Sequence, residues 1–191
     1  MGQQQAQAIW HVPGEEGIWV LVLGDMTVFA VLFATYLYYR GHSLASYLQS
    51  QATLDRFCGV VNTLLLLSSS WFVARGVQLV RQGRQHGAAG QFQLALTCGF
   101  GFALVKGFEY VDKFKDGISP VSNEFFAFYF VLTGLHLLHV LIGLIVLTVI
   151  IRKCRRVAAE PGVRFVESGA TYWHMVDVLW VLLFPLLYLL R

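Results

Sequence analysis

The sequence predicts an all-α integral membrane protein built as a bundle of five transmembrane helices. Its 191 residues are 57% hydrophobic and only 13% charged, whereas soluble domains average about 45–50% apolar and about 25% charged residues. So few charges cannot coat a soluble globule of this size. Disordered chains, collagens and disulfide scaffolds are excluded by the same composition. Five apolar stretches each have the roughly 20 residues needed to cross a hydrocarbon core of about 30 Å.

The predicted spans follow an N-terminal tail, 1–16, and form one domain, 17–191, with helices at 17–39, 57–80, 91–111, 124–151 and 170–190. The first is not a cleaved signal peptide, because it lacks a basic leading region and its apolar core is too long. The segment 81–90 reads as a polar, glycine-rich turn. The segment 112–123 reads as a loop in which Ser122 or Asn123 could cap the next helix.

Basic residues predict the orientation. One side of the membrane would hold seven of them (Arg81, Arg84, Arg152, Lys153, Arg155, Arg156, Arg164) and the other side five (Arg40, Arg56, Lys113, Lys115, Arg191). The positive-inside rule then places the N-terminus in the cytoplasm and the C-terminus outside. The basic run 152–156 directly follows a span, so it indicates a membrane anchor and not nucleic-acid binding. Three widely spaced cysteines suggest neither a disulfide framework nor a metal site.

Ionisable side chains inside the spans are candidate sites, since charge in hydrocarbon is costly unless paired, hydrated or neutralised. A rise of about 1.5 Å per residue puts four of them in one inner layer, about 6 to 12 Å deep: His174, Arg75, Asp177 and Asp25. This layer is either a proton-handling or partner-facing cluster or a structural network in which carboxylates neutralise Arg75 and His174. Asp25 is expected to be protonated if it faces lipid or an apolar interface.

Two further pairs lie on single helix faces. Lys106 and Glu109, three residues apart, predict an intrahelical ion pair near the outer interface, where the lysine can snorkel. His136 and His139 could suggest haem or copper. His174 lies about 12 Å from His139 in depth by the same helical rise, so a bis-histidine haem is disfavoured. Hydrogen-bonding histidines packed against small neighbours such as Gly134 and Gly143 are the preferred interpretation.

No nucleophile elbow, phosphate loop, metalloprotease or dinucleotide motif occurs, so composition and spacing predict no catalytic centre, no metal site and no soluble substrate. The aromatic residues are interpreted mainly as interfacial belts, among them Tyr36, Tyr38, Tyr39, Trp173, Trp180 and Tyr188.

These residues resemble the subunit III family of haem-copper oxidases along nearly the whole chain. The matching segments occur in family order: DMTVF (25–29) with FATY (33–36), NTLLLLSS (62–69), FEY (108–110), TGLHLLHVLIG (133–143), and Glu167 followed by YWHMVDVLW (172–180). On this resemblance, the chain's five spans are expected to correspond to the last five helices of seven-helix members. Its opening, HVPGEEGIW (11–19), and its ending, LFPLLYL (183–189), look most like the five-helix accessory type of nitric oxide reductase systems.

The resemblance implies a subunit that is not itself an enzyme and binds no redox cofactor directly. It would pack in the bacterial inner membrane against a large catalytic subunit carrying haem and copper, and would often hold phospholipid. Asp25 matches an intramembrane carboxylate associated with proton uptake, although many members have the longer Glu there.

Two other functions stay open on the sequence alone. One is a stand-alone proton pathway or transporter using Asp25, His174 and Asp177, although no inverted repeat is evident. The other is a haem-binding electron carrier, which the histidine depths disfavour.

Overall fold

Five long apolar helices and one short helix make up a computed structural model that describes residues 14–155 and 162–190. The helices are α1 Glu16–His42, α2 Leu44–Gln51, α3 Arg56–Arg81, α4 Gln85–Lys115, α5 Glu124–Arg155 and α6 Val163–Phe184; a π-helical turn, Pro185–Leu189, continues α6. The five long helices are long and apolar enough to cross a membrane. The predicted all-α, five-span membrane fold is confirmed. Most of the predicted tail, the start of the 11–19 motif, Arg156 and Arg191 lie outside the described residues.

The helices run further than the sequence predicted. The predicted turn at 81–90 is wrong over most of its length, because α4 already begins at Gln85. Only 82–84 turn the chain, with Gly83 at a positive φ of 73°. Asn123 caps α5 as expected, since its Oδ1 accepts a hydrogen bond from the backbone N–H of Phe126 (2.9 Å). Helix α2 was not predicted, because its eight residues carry no apolar run of membrane length.

Helix α6 is the centre of the bundle. It packs against α3, α5 and α1, while α4 closes the ring by packing on α3 and α5. At mid-length, Trp173 fills a notch between Gly99 of α4 and Gly143 of α5. A Cβ at either glycine would lie only 2.6–2.7 Å from the indole ring, so both positions require glycine. By contrast, α1 lies at the periphery and buries only Phe29 and Tyr36.

Helix α6 ends in an anchored π-helical turn. Pro185 has no N–H, so the α-helical ladder is interrupted there and the turn closes with Leu190 N donating to the carbonyl of Pro185 (2.9 Å). Two side chains donate to carbonyls of this turn, Tyr36 to Leu186 (3.4 Å) and Gln51 to Leu187 (2.8 Å), and Arg40 donates to the carbonyl of Leu190 directly after it (2.9 Å). The turn therefore ties α1 and α2 to the end of α6.

Candidate functional site: paired ionisable groups inside the bundle

Asp25 of α1 is joined to His139 of α5, which the sequence analysis did not anticipate. Asp25 Oδ2 lies 2.7 Å from His139 Nε2. His139 Nδ1 lies 2.7 Å from the carbonyl of Leu135, an oxygen that can only accept, so Nδ1 carries a hydrogen. One proton is then shared between Nε2 and Oδ2, and the pair is neutral overall wherever that proton resides. This neutrality makes the pair tolerable at membrane depth.

The predicted inner layer of four groups is not assembled in this form. Asp25 turns to α5, and Arg75 is exposed, with its guanidinium 5.5 Å from the ring centroid of Trp71. Only His174 and Asp177 stay together, with Nδ1 and Oδ2 3.9 Å apart. The depth of a residue fixes its height along the membrane normal but not the direction in which its helix face points, so residues at one depth need not meet.

His174 and Asp177 form a second cluster with Ser70 of α3. The Ser70 hydroxyl lies 2.6 Å from His174 Nδ1. Asp177 is buried, and neither carboxyl oxygen has a hydrogen-bond partner within the described part of the chain. His174 is quite different, because 40% of its side chain is exposed on the outer surface of the bundle.

Lys106 and Glu109 form the most enclosed cluster. The predicted ion pair exists, with Nζ and Oε2 3.0 Å apart. The predicted snorkelling is wrong, because the Lys106 side chain is completely buried. Its three protons go to Glu109, to the Tyr129 hydroxyl (3.1 Å) and to the Tyr188 hydroxyl (2.8 Å). Both hydroxyls donate in turn to Glu109 Oε1, at 2.8 and 2.6 Å. Every charged atom is therefore satisfied inside the protein.

Aromatic rings complete this cluster. The Lys106 ammonium lies 4.7–5.5 Å from the ring centroids of Tyr110, Tyr129, Trp180 and Tyr188, a distance at which ring faces attract a cation. Trp180, Tyr188, Trp173 and Tyr36 are thus core residues, and their assignment to interfacial belts is corrected. Tyr38 and Tyr39 are exposed. The sequence analysis missed Tyr129 and Tyr188 as site residues. Their hydroxyl groups lie inside apolar spans of a bundle that also holds a buried charge, and this could have indicated them as its partners.

His136 is fully buried without a hydrogen bond. Its ring packs on Phe102 and Trp180, with centroids 5.5 and 5.2 Å apart, and neither ring nitrogen has a partner among the described residues. The expectation of two hydrogen-bonding histidines beside glycines is correct for the hydrogen bonds of His139 and wrong for His136. Gly143 receives Trp173 instead.

Glu167 joins the helices at the end of the bundle where α1 and α6 begin and α3 ends. Its Oε1 lies 2.7 Å from Nη2 of Arg81, and its Oε2 accepts from the backbone N–H of Gly14 (3.1 Å). The adjacent Ser168 hydroxyl accepts from Glu15 N (2.9 Å). These contacts fix the start of α1 against α3 and α6, so we interpret Glu167 as a structural clamp.

Within residues 14–155 and 162–190, no group of three or more His, Cys, Asp or Glu side chains is arranged to hold a metal ion. The fold and these contacts define a multi-pass membrane protein in which Lys106 pairs with Glu109 and Asp25 pairs with His139. Comparison with known proteins makes the class specific: residues 15–190 match the family model described as cytochrome c oxidase subunit III. The chain belongs to that family.

Characterised relatives agree with this assignment. The chain is 31% identical over 180 residues to cytochrome c oxidase subunit 3 of Synechocystis sp., covering 91% of this chain and 74% of the relative. It is 29% identical to cytochrome bo(3) ubiquinol oxidase subunit 3 of Pseudomonas putida, covering 91% and 84%. It is 28% identical to quinol oxidase subunit 3 of Bacillus subtilis, covering 91% and 85%.

Proposed function

We propose that this chain is the non-catalytic third subunit of a haem-copper respiratory complex, bound to a large catalytic subunit that holds haem and copper. The family match over 15–190 carries the proposal. The site geometry supports it, because Lys106 and Glu109 are paired with each other and hydrogen-bonded to tyrosines, and Asp25 is paired with His139. Such an arrangement suits a supporting subunit better than an electron carrier.

The subunit's contribution to the complex would be support of proton uptake. Asp25 and His139 share one proton at membrane depth and remain 23% and 16% exposed, so the pair can meet a neighbouring molecule. A group that can hold its proton on either oxygen or nitrogen, at no net charge, is suited to exchange protons with a hydrated path. This path would belong to the catalytic subunit.

Lipid binding would be the second contribution. A groove of about 730 Å³ runs between α4 and α5, lined by Leu96, Phe100, Leu141, Leu144 and Ile145, and it ends at Arg152. Apolar walls fit an acyl chain, and a guanidinium at the helix end fits a lipid phosphate. Arg152→Gln is expected to reduce the phospholipid that co-purifies, measured by mass spectrometry against Arg155→Gln as the control.

Two finer assignments complete the proposal. The segments 11–19 and 183–189 favour a partner that reduces nitric oxide, whereas the characterised relatives above belong to oxidases. The family resemblance favours the bacterial inner membrane, and the basic residues favour a cytoplasmic N-terminus. Protease protection of tags placed at each end, in sealed vesicles, tests the orientation.

Co-purification tests the proposal as a whole. The tagged chain is extracted from its native membranes in mild detergent, and the bound proteins are identified together with their visible spectrum. Recovery of a large haem-bearing subunit is expected, and its activity towards oxygen or nitric oxide identifies the acceptor. Recovery of the chain alone, under conditions in which other membrane complexes stay assembled, would contradict the proposal. Proton flux in liposomes would then test the stand-alone proton pathway.

A further inference from the structure

The exposed face formed by α3 and α6 carries a polar side chain in a place where hydrocarbon cannot satisfy it. His174 is 40% exposed, and Ser70 occupies only its Nδ1. Nε2 points to no hydrogen-bond partner within the described residues. An unpaired imidazole nitrogen facing lipid tails is unfavourable, because hydrocarbon offers neither donor nor acceptor.

The depth of this histidine excludes lipid headgroups as its partner. Helix α3 has 26 residues, so it is about 39 Å long, and a core of about 30 Å centred on it places Ser70 about 12 Å inside the hydrocarbon. His174 shares that depth through its contact with Ser70. It lies deeper than the sequence predicted, because α6 starts at Val163 and not near residue 170.

Two apolar strips flank the histidine. On α3, Leu64, Leu67 and Trp71 are 60%, 48% and 58% exposed, at the three- and four-residue spacing of one helix face. On α6, Val178 and Val181 are 48% and 43% exposed and continue the face of His174 with the same spacing. The contacts Ser70–His174 and Thr63–Trp180 set the two helices antiparallel and side by side. The strips therefore form one continuous surface.

We propose that this α3/α6 face receives a transmembrane helix of the catalytic subunit, and that a hydrogen-bonding side chain of that helix pairs with His174 Nε2. This inference rests on the proposed function and adds to it the contact surface. The Ser70 hydroxyl can donate to Nδ1, which leaves the ring proton on Nε2. In that form Nε2 donates, so the partner would present an acceptor such as a hydroxyl, carboxylate or side-chain carbonyl. Apolar contacts along the two strips would add packing, as in other membrane helix pairs.

The test uses the full chain in its native membranes. His174→Leu keeps the apolar surface and removes the nitrogen, so the amount of catalytic subunit that stays bound through detergent washing is expected to fall about tenfold, the effect of losing about 1.4 kcal/mol. His174→Gln restores an N–H donor and is expected to recover part of the binding. Leu104→Ala shortens an exposed side chain of α4, away from this face and from the lipid groove, and is expected to have no effect.

Cross-linking keeps the test independent of folding defects, because His174 stays native. A photoreactive residue at position 178 is expected to label the catalytic subunit, and one at position 145, 66% exposed on α5, is expected to label lipid. If the wild-type chain retains no catalytic subunit, the proposed function fails. If the wild type and His174→Leu bind it equally and position 145 gives the cross-link, this face is wrong and the proposed function stands.

Discussion

Replacing Lys106 with methionine would test whether the buried cluster is a genuine ion pair. Methionine keeps most of the side-chain volume but removes the charge and three hydrogen bonds. Glu109 keeps the two tyrosine hydroxyls, yet its negative charge is left without a cation while its side chain is only 4% exposed. Removing one member of a buried pair typically costs about 3–5 kcal/mol, so Lys106→Met is expected to lower the free energy of unfolding by that amount.

A double-mutant cycle makes this prediction specific. Lys106→Met with Glu109→Leu removes both charges, so the double variant is expected to lose less than the two single variants together, by up to about 3 kcal/mol. Unfolding in mixed micelles with increasing denaturing detergent measures all four proteins. Lys115→Met, which removes an exposed partner of Asp112, is the control and is expected to change stability by less than about 1 kcal/mol. Additive losses, or a Lys106→Met variant as stable as the control, would refute the ion-pair reasoning.

Three further predictions concern other parts of the bundle. Gly143→Ala is expected to lower the free energy of unfolding by about 1–3 kcal/mol, because the new methyl group meets Trp173. Gly107→Ala, with open space around it, is expected to be neutral or to stabilise by up to about 1 kcal/mol. Equal effects of the two substitutions would contradict the close packing of Trp173 on Gly143. Asp25→Asn is expected to keep a hydrogen bond to neutral His139 Nε2 and to be about 1–2 kcal/mol more stable than Asp25→Leu. Infrared spectra of the wild type and Asp25→Asn also test whether Asp25 is protonated. An ionised-carboxylate band that is present in the wild type and lost in the variant would show that Asp25 is ionised. Asp55 caps α3. Partial burial opposes the ionisation of Asp55, but hydrogen bonds from Cys58 and from the backbone N–H groups of Phe57 and Cys58 hold its pKa below the ordinary value. The stabilisation by ionised Asp55 is therefore complete at neutral pH and is lost as the pH falls through the lowered pKa, so Asp55→Asn is expected to preserve the cap and to make stability less dependent on pH in acid.

The fold followed from sequence because the bilayer imposes one dominant constraint. A span needs about 20 apolar residues with its backbone bonded internally, so hydropathy alone located all five long helices. Helix ends were less predictable. Polar residues such as Gln85 and His86 continue α4 beyond the apolar stretch, and composition does not show where such a helix stops. The π-helical turn depends on Pro185 together with donors from α1 and α2, which are distant in sequence.

The candidate sites were predictable only within one helix. Lys106 and Glu109 pair across one helical turn, and spacing finds such pairs. Asp25 and His139 pair across 114 residues, and that contact depends on which side of α1 faces α5. Depth counted along each span ranks residues by height but carries no rotational information. This is why the predicted inner layer separated into an α1–α5 pair and an α3–α6 cluster.

The central position of α6 has a consequence for biosynthesis. It is synthesised after the other four long helices, yet it has the largest buried share of the five and supplies Trp173, Trp180 and, through its π-helical end, Tyr188. Until it inserts, the notch between Gly99 and Gly143 has no indole, and the Lys106 ammonium lacks one of its three acceptors. A nascent chain halted before α6 would therefore expose a buried cation and an unfilled interface within the membrane. Insertion of α6 therefore completes both the packing of the indole and the hydrogen bonding of the buried ammonium.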